Sequence, residues 1–203
     1  MLTFSKAAFR IQNVSQWTTN ESERRMERPY RCAIFGQAPM RFPWGFDEED
    51  SFCRELKTEL LQQIMVLRQQ GVTQFLVACD CGIGLYAAEG INLMRETDPD
   101  LMLLCTVPHE EQATKWAPYL RERYFDMLTK CTCIDHVANP GQDHAQLLAY
   151  QHIIDLADLA LTVFDEAALR AGRDEDQAMT YAMNCGKPVL NIDPHTLKLC
   201  VLK

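Results

Sequence analysis

The sequence predicts an α/β fold, a three-layer sandwich around a mostly parallel sheet of five or six strands. Short apolar runs alternate with helical patterns along most of the chain. Strands that alternate with helices in this way indicate a parallel sheet covered by helices on both faces. In addition, a turn with two glycines joins one apolar run directly to a helix, as at the ligand-binding edge of open α/β sheets.

The first predicted elements are a strand over 32–35, which ends at Gly36, and a long helix over 47–70. In this helix, apolar residues recur at three- and four-residue spacing, so that one face is apolar. Gly71 follows the helix and is suited to end it, because glycine readily adopts the left-handed conformation. The second strand is predicted over 73–77.

Two glycines, Gly82 and Gly84, separate the second strand from a helix predicted over 85–96. Pro118 is expected to break or restart the helical pattern over 110–130. The remaining predicted elements are strands over 101–107, 132–137, 159–164 and 188–192, and helices over 144–156 and 175–184. This order of elements predicts a Rossmann-like sheet, in which ligands bind at the carboxyl ends of the strands.

Charge and composition exclude several classes of function. The net charge of -8 and the pI near 5.1 argue against nucleic acid or an anionic membrane as the main partner. No apolar run approaches the roughly 20 residues that span a bilayer. The N-terminus lacks the apolar core of a signal peptide, so we expect a cytoplasmic protein. Residues 1–30 are polar and predict an extension, whereas 31–203 predict a single domain.

The nine cysteines are expected to be reduced thiols, because several lie within apolar runs. Two Cys-x-Cys pairs, Cys79/Cys81 and Cys131/Cys133, would form a thiolate zinc site only if the fold brought them together. Structural zinc sites more often have two residues between paired cysteines, so core packing is the favoured interpretation. No cofactor, metal site or hydrolase-type arrangement of Ser, His and Asp is predicted.

Several segments in one register resemble YpsA-like proteins of the SLOG superfamily, Rossmann-like proteins with nucleotide-derived ligands that include the DprA and LOG families. The similar segments are 36–39, 42–48, 87–89, 108–112, 115–116, 121–124, 181–182, 186–189 and 192–194, together with Asp155 and Asp158. The resemblance covers roughly residues 31 to 194. It implies a ligand pocket between the ends of the first, second and fifth strands.

The departures from the family pattern fall on positions that would contact a phosphate. The family's TGHRP loop is here Phe-Gly-Gln-Ala-Pro at 35–39, and its SGGAxGxD turn is replaced by the sequence at 77–84. An Arg-Asn pair becomes Ala149-Tyr150, and the late Gly-Gly-Thr turn falls near the acidic segment 172–176. Residues that build the fold are therefore retained, while those that would bind phosphate are mostly changed.

Candidate ligand residues follow the predicted strands. They are Gly36, Gln37, Arg41, Trp44, Asp80, Cys81, Gly82, Gly84, Glu89, Gln112 and Trp116. The two glycines of the turn permit close approach of a ligand, although they are also consistent with a turn that only the fold requires. Asp80 would repel a phosphate at short range. Arg41 could bind a phosphate, and Trp44 could either stack on a base or pack its loop onto the domain.

Glu89 and the segment after the third strand leave further alternatives open. In LOG-like relatives a glutamate acts on a ribosyl phosphate, but the arginine and histidine near it in that family are absent here, so no catalytic residue is predicted. Gln112 could read a base edge or a ribose hydroxyl, or it could belong to a capping turn. Trp116 could cover the pocket or fill the core.

Three functions are consistent with these patterns. The leading hypothesis is a protein that binds or senses a nucleotide-derived small molecule at the carboxyl edge of the sheet. One alternative is hydrolysis of a nucleotide N-glycosidic bond, as in LOG relatives. The other is a degenerate scaffold that acts through protein contacts, which a pocket filled by Tyr86 or Tyr150 would favour. A homodimer through a helix face is common in folds of this type.

Overall fold

The computed structural model describes residues 29–169 and 172–202 and contains one seven-stranded sheet. The strand order is β4-β3-β2-β1-β5-β6-β7, with β1 to β6 parallel and β7 antiparallel to β6. The strands are β1 Arg31–Gly36, β2 Gln74–Val77, β3 Met102–Val107, β4 Cys133–His136, β5 Leu159–Val163, β6 Val189–Ile192 and β7 Leu199–Leu202. The predicted extension over 1–30 lies almost entirely outside the described residues.

Helices cover both faces of this sheet and give the predicted three layers. They are α1 Ser51–Gln69, α2 Ile83–Arg95, α3 Pro118–Lys130, α4 Ala145–Leu156 and α5 Asp174–Asn184. The first three pack on one face and share a core with alternate strand residues, whereas α4 and α5 pack on the other face. Within the described residues, none of the helices is long and apolar enough to cross a membrane.

The order of connections places a switch point at the centre of the sheet. From β1 the chain moves outward through β2 and β3 to β4, and it then returns to the opposite side of β1 to form β5. In open α/β sheets, the loops that leave the two strands at such a switch point run in opposite directions, and ligands bind in the crevice between them. The fold class predicted from the sequence is confirmed, and the carboxyl edge next to β1 is where a ligand would be expected.

The sheet has one strand more than the predicted five or six. The additional strand, β7, is a four-residue hairpin partner of β6, which gives too short a pattern to stand out in the sequence. Its tight turn is stabilised by Asp193, whose side chain accepts hydrogen bonds from the backbone of His195 (2.8 Å) and Thr196 (2.9 Å). Leu197 completes the turn in a left-handed conformation, with φ of 55°.

The helices begin where local capping allows. Helix α1 begins at Ser51, later than predicted, because the Asp50 side chain caps it and accepts hydrogen bonds from the backbone N–H groups of Phe52 and Cys53. The helical pattern predicted over 110–130 is divided, with Pro118 at the start of α3. These differences change the ends of elements and not their order.

Gly36 fixes how closely the start of α2 approaches the end of β1. A Cβ atom added at Gly36 would overlap the side chain of Ile83, the first residue of α2, and would lie 3.0 Å from the carbonyl oxygen of Val163 in β5. The two strands at the switch point and the first turn of α2 therefore meet at a position that tolerates no side chain.

We predict that Gly36→Ala lowers the free energy of unfolding by about 1–3 kcal/mol, because the added methyl group must displace Ile83 or the β5 backbone. Gly90→Ala is the control, since its added Cβ would meet only the flexible end of Leu61 at 3.0 Å and alanine favours the helix. Urea denaturation of both variants checks this. Equal stabilities for the two variants would contradict the close packing at Gly36.

Candidate functional site

The turn after β2 folds a carboxylate back onto the start of α2. Cys79 has a left-handed conformation, with φ of 51°, and reverses the chain directly after the strand. The Oδ1 atom of Asp80 then accepts hydrogen bonds from the backbone N–H groups of Gly82 (2.8 Å) and Gly84 (3.2 Å). A helix N-terminus carries unpaired N–H groups and a partial positive charge, so it is the usual position for a bound anion. Here a side chain of the protein itself occupies that position.

The second carboxylate oxygen of Asp80 lies in a buried and confined position. Among the described residues, Oδ2 has no hydrogen-bond partner, and a Cβ added at Gly84 would lie 2.6 Å from it. Similarly, a Cβ added at Gly82 would lie 2.9 Å from the Pro39 ring. The two glycines thus make room for Asp80 and Pro39. Burial raises the pKa of the Asp80 carboxyl above its usual range, and the negative charge of Glu175 adds to this effect.

Arg41 lies in the loop after β1 and faces acidic side chains at the start of α5. Its Nη1 atom forms an ion pair with Asp176 Oδ1 and lies 3.6 Å from Glu175 Oε1. Its Nη2 atom donates to the carbonyl oxygen of Ala168 at 3.0 Å. The side chains of Arg41 and Asp176 are 9% and 2% exposed, so this ion pair is largely withdrawn from water. Asp176 was not among the predicted site residues.

Gln37 joins the ends of the two strands that flank the switch point. Its backbone N–H donates to the carbonyl oxygen of Val163, and its Oε1 accepts from the backbone N–H of Asp165, both at 3.0 Å. The side chain is buried. Gln37 therefore holds the carboxyl ends of β1 and β5 together, next to the position where Gly36 contacts α2.

Trp44 and Cys81 lie on neighbouring loops. The indole of Trp44 stacks on Phe42 at a centroid distance of 4.9 Å, and its Nε1–H is buried with no partner among the described residues.

Burial, aided by the charge of Asp80, raises the pKa of the Cys81 thiol to about 12. The thiol is therefore neutral near pH 7 and poorly suited to act as a nucleophile.

Gln112 lies in the loop after β3 and forms a hydrogen bond to the turn that follows β2. Its Nε2 donates to the carbonyl oxygen of Cys79 at 2.8 Å and lies 3.2 Å from Gln146 Oε1. Gln146 in turn donates to the carbonyl oxygen of Ala78 at 2.9 Å. The Oε1 atom of Gln112 is buried and has no partner in the described part of the chain. Trp116, farther along this loop, packs edge-on against Tyr124.

Glu89 is held in an ion pair between two helices. The guanidinium of Arg123 donates from Nε and Nη2 to the two carboxylate oxygens of Glu89, each at 2.7 Å. Arg123 also pairs with Glu48, which pairs in turn with Lys57. Both cations lie over the ring of Tyr86, at 4.6 Å for Lys57 and 5.9 Å for Arg123. Glu89 is therefore part of a network that connects the β1 loop with α1, α2 and α3.

Two buried tyrosines fill space on opposite faces of the sheet near this edge. Tyr86 is 7% exposed and packs in the core beneath α1 to α3. Tyr150 is 4% exposed, packs in the core beneath α4 and α5, and lies 5.6 Å from the Phe35 ring. Burial raises the pKa of both phenols, so they remain neutral.

Unpartnered polar atoms are concentrated on the loops at the carboxyl edge. Within residues 29–169 and 172–202, five buried side-chain nitrogen or oxygen atoms have no hydrogen-bond partner. Four of them follow β1, β2 or β3: Trp44 Nε1, Asp80 Oδ2, His109 Nδ1 and Gln112 Oε1. The fifth belongs to His152 of α4. Because buried polar groups are normally hydrogen-bonded, this concentration distinguishes the edge from the rest of the fold.

The two Cys-x-Cys pairs do not form a metal site. Cys79 is buried beyond β2, Cys131 is half-buried before β4, and Cys133 is exposed on that edge strand. In the described part of the chain, no three His, Cys, Asp or Glu side chains are grouped so that they could hold a metal ion.

A surface cavity of about 480 Å³ lies between α4 and α5, with Gln151, Gln177 and Asn184 among its lining residues.

The raised pKa of Asp80 predicts how stability depends on pH. The unfolded chain binds the proton below about pH 3.9, whereas the folded protein keeps it to a higher pH. Between these two pKa values the folded state binds more protons, so the free energy of unfolding decreases as pH rises. Asp80→Asn removes the titrating carboxyl group and with it this pH-dependent decrease in stability. Its free energy of unfolding relative to the wild type should therefore increase with pH above about 3.9, as measured by urea denaturation.

Asp98→Asn is the matched control, with the opposite sign. Hydrogen bonds from Arg68 lower the pKa of Asp98, so its stabilising contribution is present above about pH 3.9 and is lost as pH falls through the lowered pKa. As pH rises from the lowered pKa of Asp98 to about 3.9, the free energy of unfolding of Asp98→Asn should therefore decrease relative to that of the wild type. A pH-independent difference for Asp80→Asn would contradict the burial of the Asp80 carboxyl.

Comparison with known proteins identifies the family. The YpsA family model, described as the YspA SLOG family, matches residues 32–197. A UPF0398 protein of Halalkalibacterium halodurans is 27% identical over 146 residues, which cover 71% of this chain and 74% of the relative. A UPF0398 protein of Bacillus licheniformis is 27% identical over 137 residues, covering 66% and 74%. One from Bacillus cereus is 26% identical over 113 residues, covering 55% and 61%. The chain belongs to the YpsA family of SLOG proteins.

Proposed function

We propose that this protein binds a nucleotide-derived small molecule at the carboxyl edge of the sheet and does not catalyse a reaction there. The concentration of unpartnered polar atoms on the loops after β1, β2 and β3 is the observation that carries the proposal. A buried polar group without a partner reduces stability, so a site that retains several of them gains when a ligand satisfies them.

The chemistry of these atoms fits a molecule that carries both donors and acceptors. The indole N–H of Trp44 requires an acceptor, whereas Gln112 Oε1 accepts a donor. Nucleobase edges and ribose hydroxyls offer both kinds of group. The resemblance to SLOG proteins implies a nucleotide-derived ligand at this same edge, which supports the proposal independently of the polar atoms.

The surroundings of Glu89 argue against the hydrolase alternative. A general acid or base must reach the proton that it transfers. Both oxygens of Glu89 instead accept hydrogen bonds from Arg123 at 2.7 Å. The neutral thiol of Cys81 is also unsuited to nucleophilic attack. Binding without turnover is therefore the better-supported function.

The scaffold hypothesis retains one specific observation in its favour. Tyr86 and Tyr150 are both buried near the carboxyl edge, on opposite faces of the sheet, and occupy space with the protein's own side chains. A protein that has lost its ligand would keep such a filled interior and act through its surface. A screen of candidate ligands separates this function from small-molecule binding.

A thermal-shift screen against nucleosides, nucleotides, NAD, ADP-ribose and cyclic dinucleotides tests the proposal. A ligand at 100 times its Kd adds about 2.7 kcal/mol of stability. For a domain of this size, that corresponds to roughly 5–10 °C in Tm. We expect at least one member of the panel to give such a shift.

Three variants locate the binding site. Trp44→Phe removes the indole N–H and keeps an aromatic ring, and Gln112→Ala removes the unpartnered oxygen, so both should reduce the shift. Gln63→Ala is the matched control, because Gln63 lies on α1 and, in the described part of the chain, its side chain bonds only to Glu59 of the same helix. A shift unchanged in both site variants would place the ligand elsewhere, and no shift across the panel would favour the scaffold.

A further inference from the structure

We infer that this site excludes phosphate, because Asp80 and Asp176 occupy the two positions that would bind it, and that the ligand is an uncharged nucleoside or nucleobase. The part of this inference that concerns the ligand rests on the proposed function. The exclusion of phosphate stands on the geometry of the two carboxylates alone and is tested separately below.

The first phosphate position is the N-terminus of α2. The backbone N–H groups of Gly82 and Gly84 point towards the turn and are both taken by Asp80 Oδ1, at 2.8 Å and 3.2 Å. This oxygen accepts both bonds in either protonation state of the carboxyl group. A ligand phosphate would have to displace a side chain that lies against Gly84 and whose Oδ2 is buried.

The second phosphate position is the guanidinium of Arg41. Two of its nitrogens are already bonded, one to the Asp176 carboxylate and one to the carbonyl oxygen of Ala168. Glu175 lies 3.6 Å away and adds a second negative charge. To bind a phosphate, Arg41 would have to leave the Asp176 carboxylate, which is 2% exposed, and so break a largely buried ion pair.

A second arginine near this edge is also occupied. Arg123 donates to both oxygens of Glu89 and pairs with Glu48. In addition, the first turn of α5 carries three consecutive acids, Asp174, Glu175 and Asp176. The local charge therefore opposes a phosphate, whereas the unpartnered atoms of Trp44 and Gln112 can still bind an uncharged base or ribose.

Matched pairs of ligands test the predicted specificity. Adenosine, guanosine, cytidine and uridine are each compared with the corresponding 5′-monophosphate by isothermal titration calorimetry with the full chain. At least one nucleoside should bind the wild type about tenfold or more tightly than its monophosphate, a difference of about 1.4 kcal/mol. A monophosphate that binds the wild type as tightly as its nucleoside would overturn the inference.

Variants that free either position should create binding of phosphate itself. Inorganic phosphate and pyrophosphate are titrated against Asp80→Ala, which releases the two N–H groups, and against Glu175→Ala/Asp176→Ala, which removes both carboxylates that face Arg41. Each variant should gain about tenfold or more in affinity over the wild type. Asp80→Asn should gain much less than Asp80→Ala, because the asparagine oxygen keeps both hydrogen bonds. Gln63→Ala, which frees no cationic group, should gain nothing.

These outcomes separate the inference from the proposed function. If no nucleoside or nucleotide binds the wild type, the proposed function fails, while phosphate binding gained by the variants still supports the exclusion of phosphate. If neither freed position gains phosphate affinity in variants with wild-type circular dichroism, the exclusion of phosphate is overturned. The two positions lie on different elements. If one variant misfolds, phosphate binding by the other variant still tests the exclusion of phosphate.

Discussion

The arrangement of this protein depends on the close contact between the start of α2 and the central strands of the sheet. Gly36 lies so near Ile83 and the Val163 carbonyl that no side chain fits there. The N-terminus of α2 is thereby fixed against β1 and β5 at the switch point, and the turn before it has space only for small residues. Asp80 folds back within this turn and bonds to the N–H groups of Gly82 and Gly84. The contact that builds the fold thus also brings a carboxylate to the position of a bound anion.

Charge at the carboxyl edge is neutralised largely within the chain. The helix N-terminus faces Asp80, Arg41 faces Asp176, and Arg123 faces Glu89. What remains on the loops after β1, β2 and β3, among the described residues, is a set of buried hydrogen-bonding atoms without partners. A site of this kind suits recognition of an uncharged polar molecule, and the occupied state of Glu89 suits binding without turnover.

The sequence was sufficient to predict the fold but not the partners within the site. Apolar runs such as 32–35 and the glycine turn at 82–84 are local signals, so they predicted the strands and their parallel arrangement. The pairing of Arg41 with Asp176 joins residues 135 apart in the chain, and no local pattern specifies it. The acids at 174–176 form the first turn of α5, and two of them, Glu175 and Asp176, also face Arg41. Similarly, the sequence placed Asp80 near the carboxyl edge of the sheet without indicating that its side chain would bond to the start of α2.

The most direct test of this account is a crystal structure of the wild-type protein grown in a high concentration of phosphate. The account predicts that Asp80 remains bonded to Gly82 and Gly84, that Asp176 remains paired with Arg41, and that no phosphate lies within hydrogen-bonding distance of these N–H groups or of the guanidinium. A phosphate bound at the start of α2 or at Arg41, with either carboxylate turned away, would contradict it.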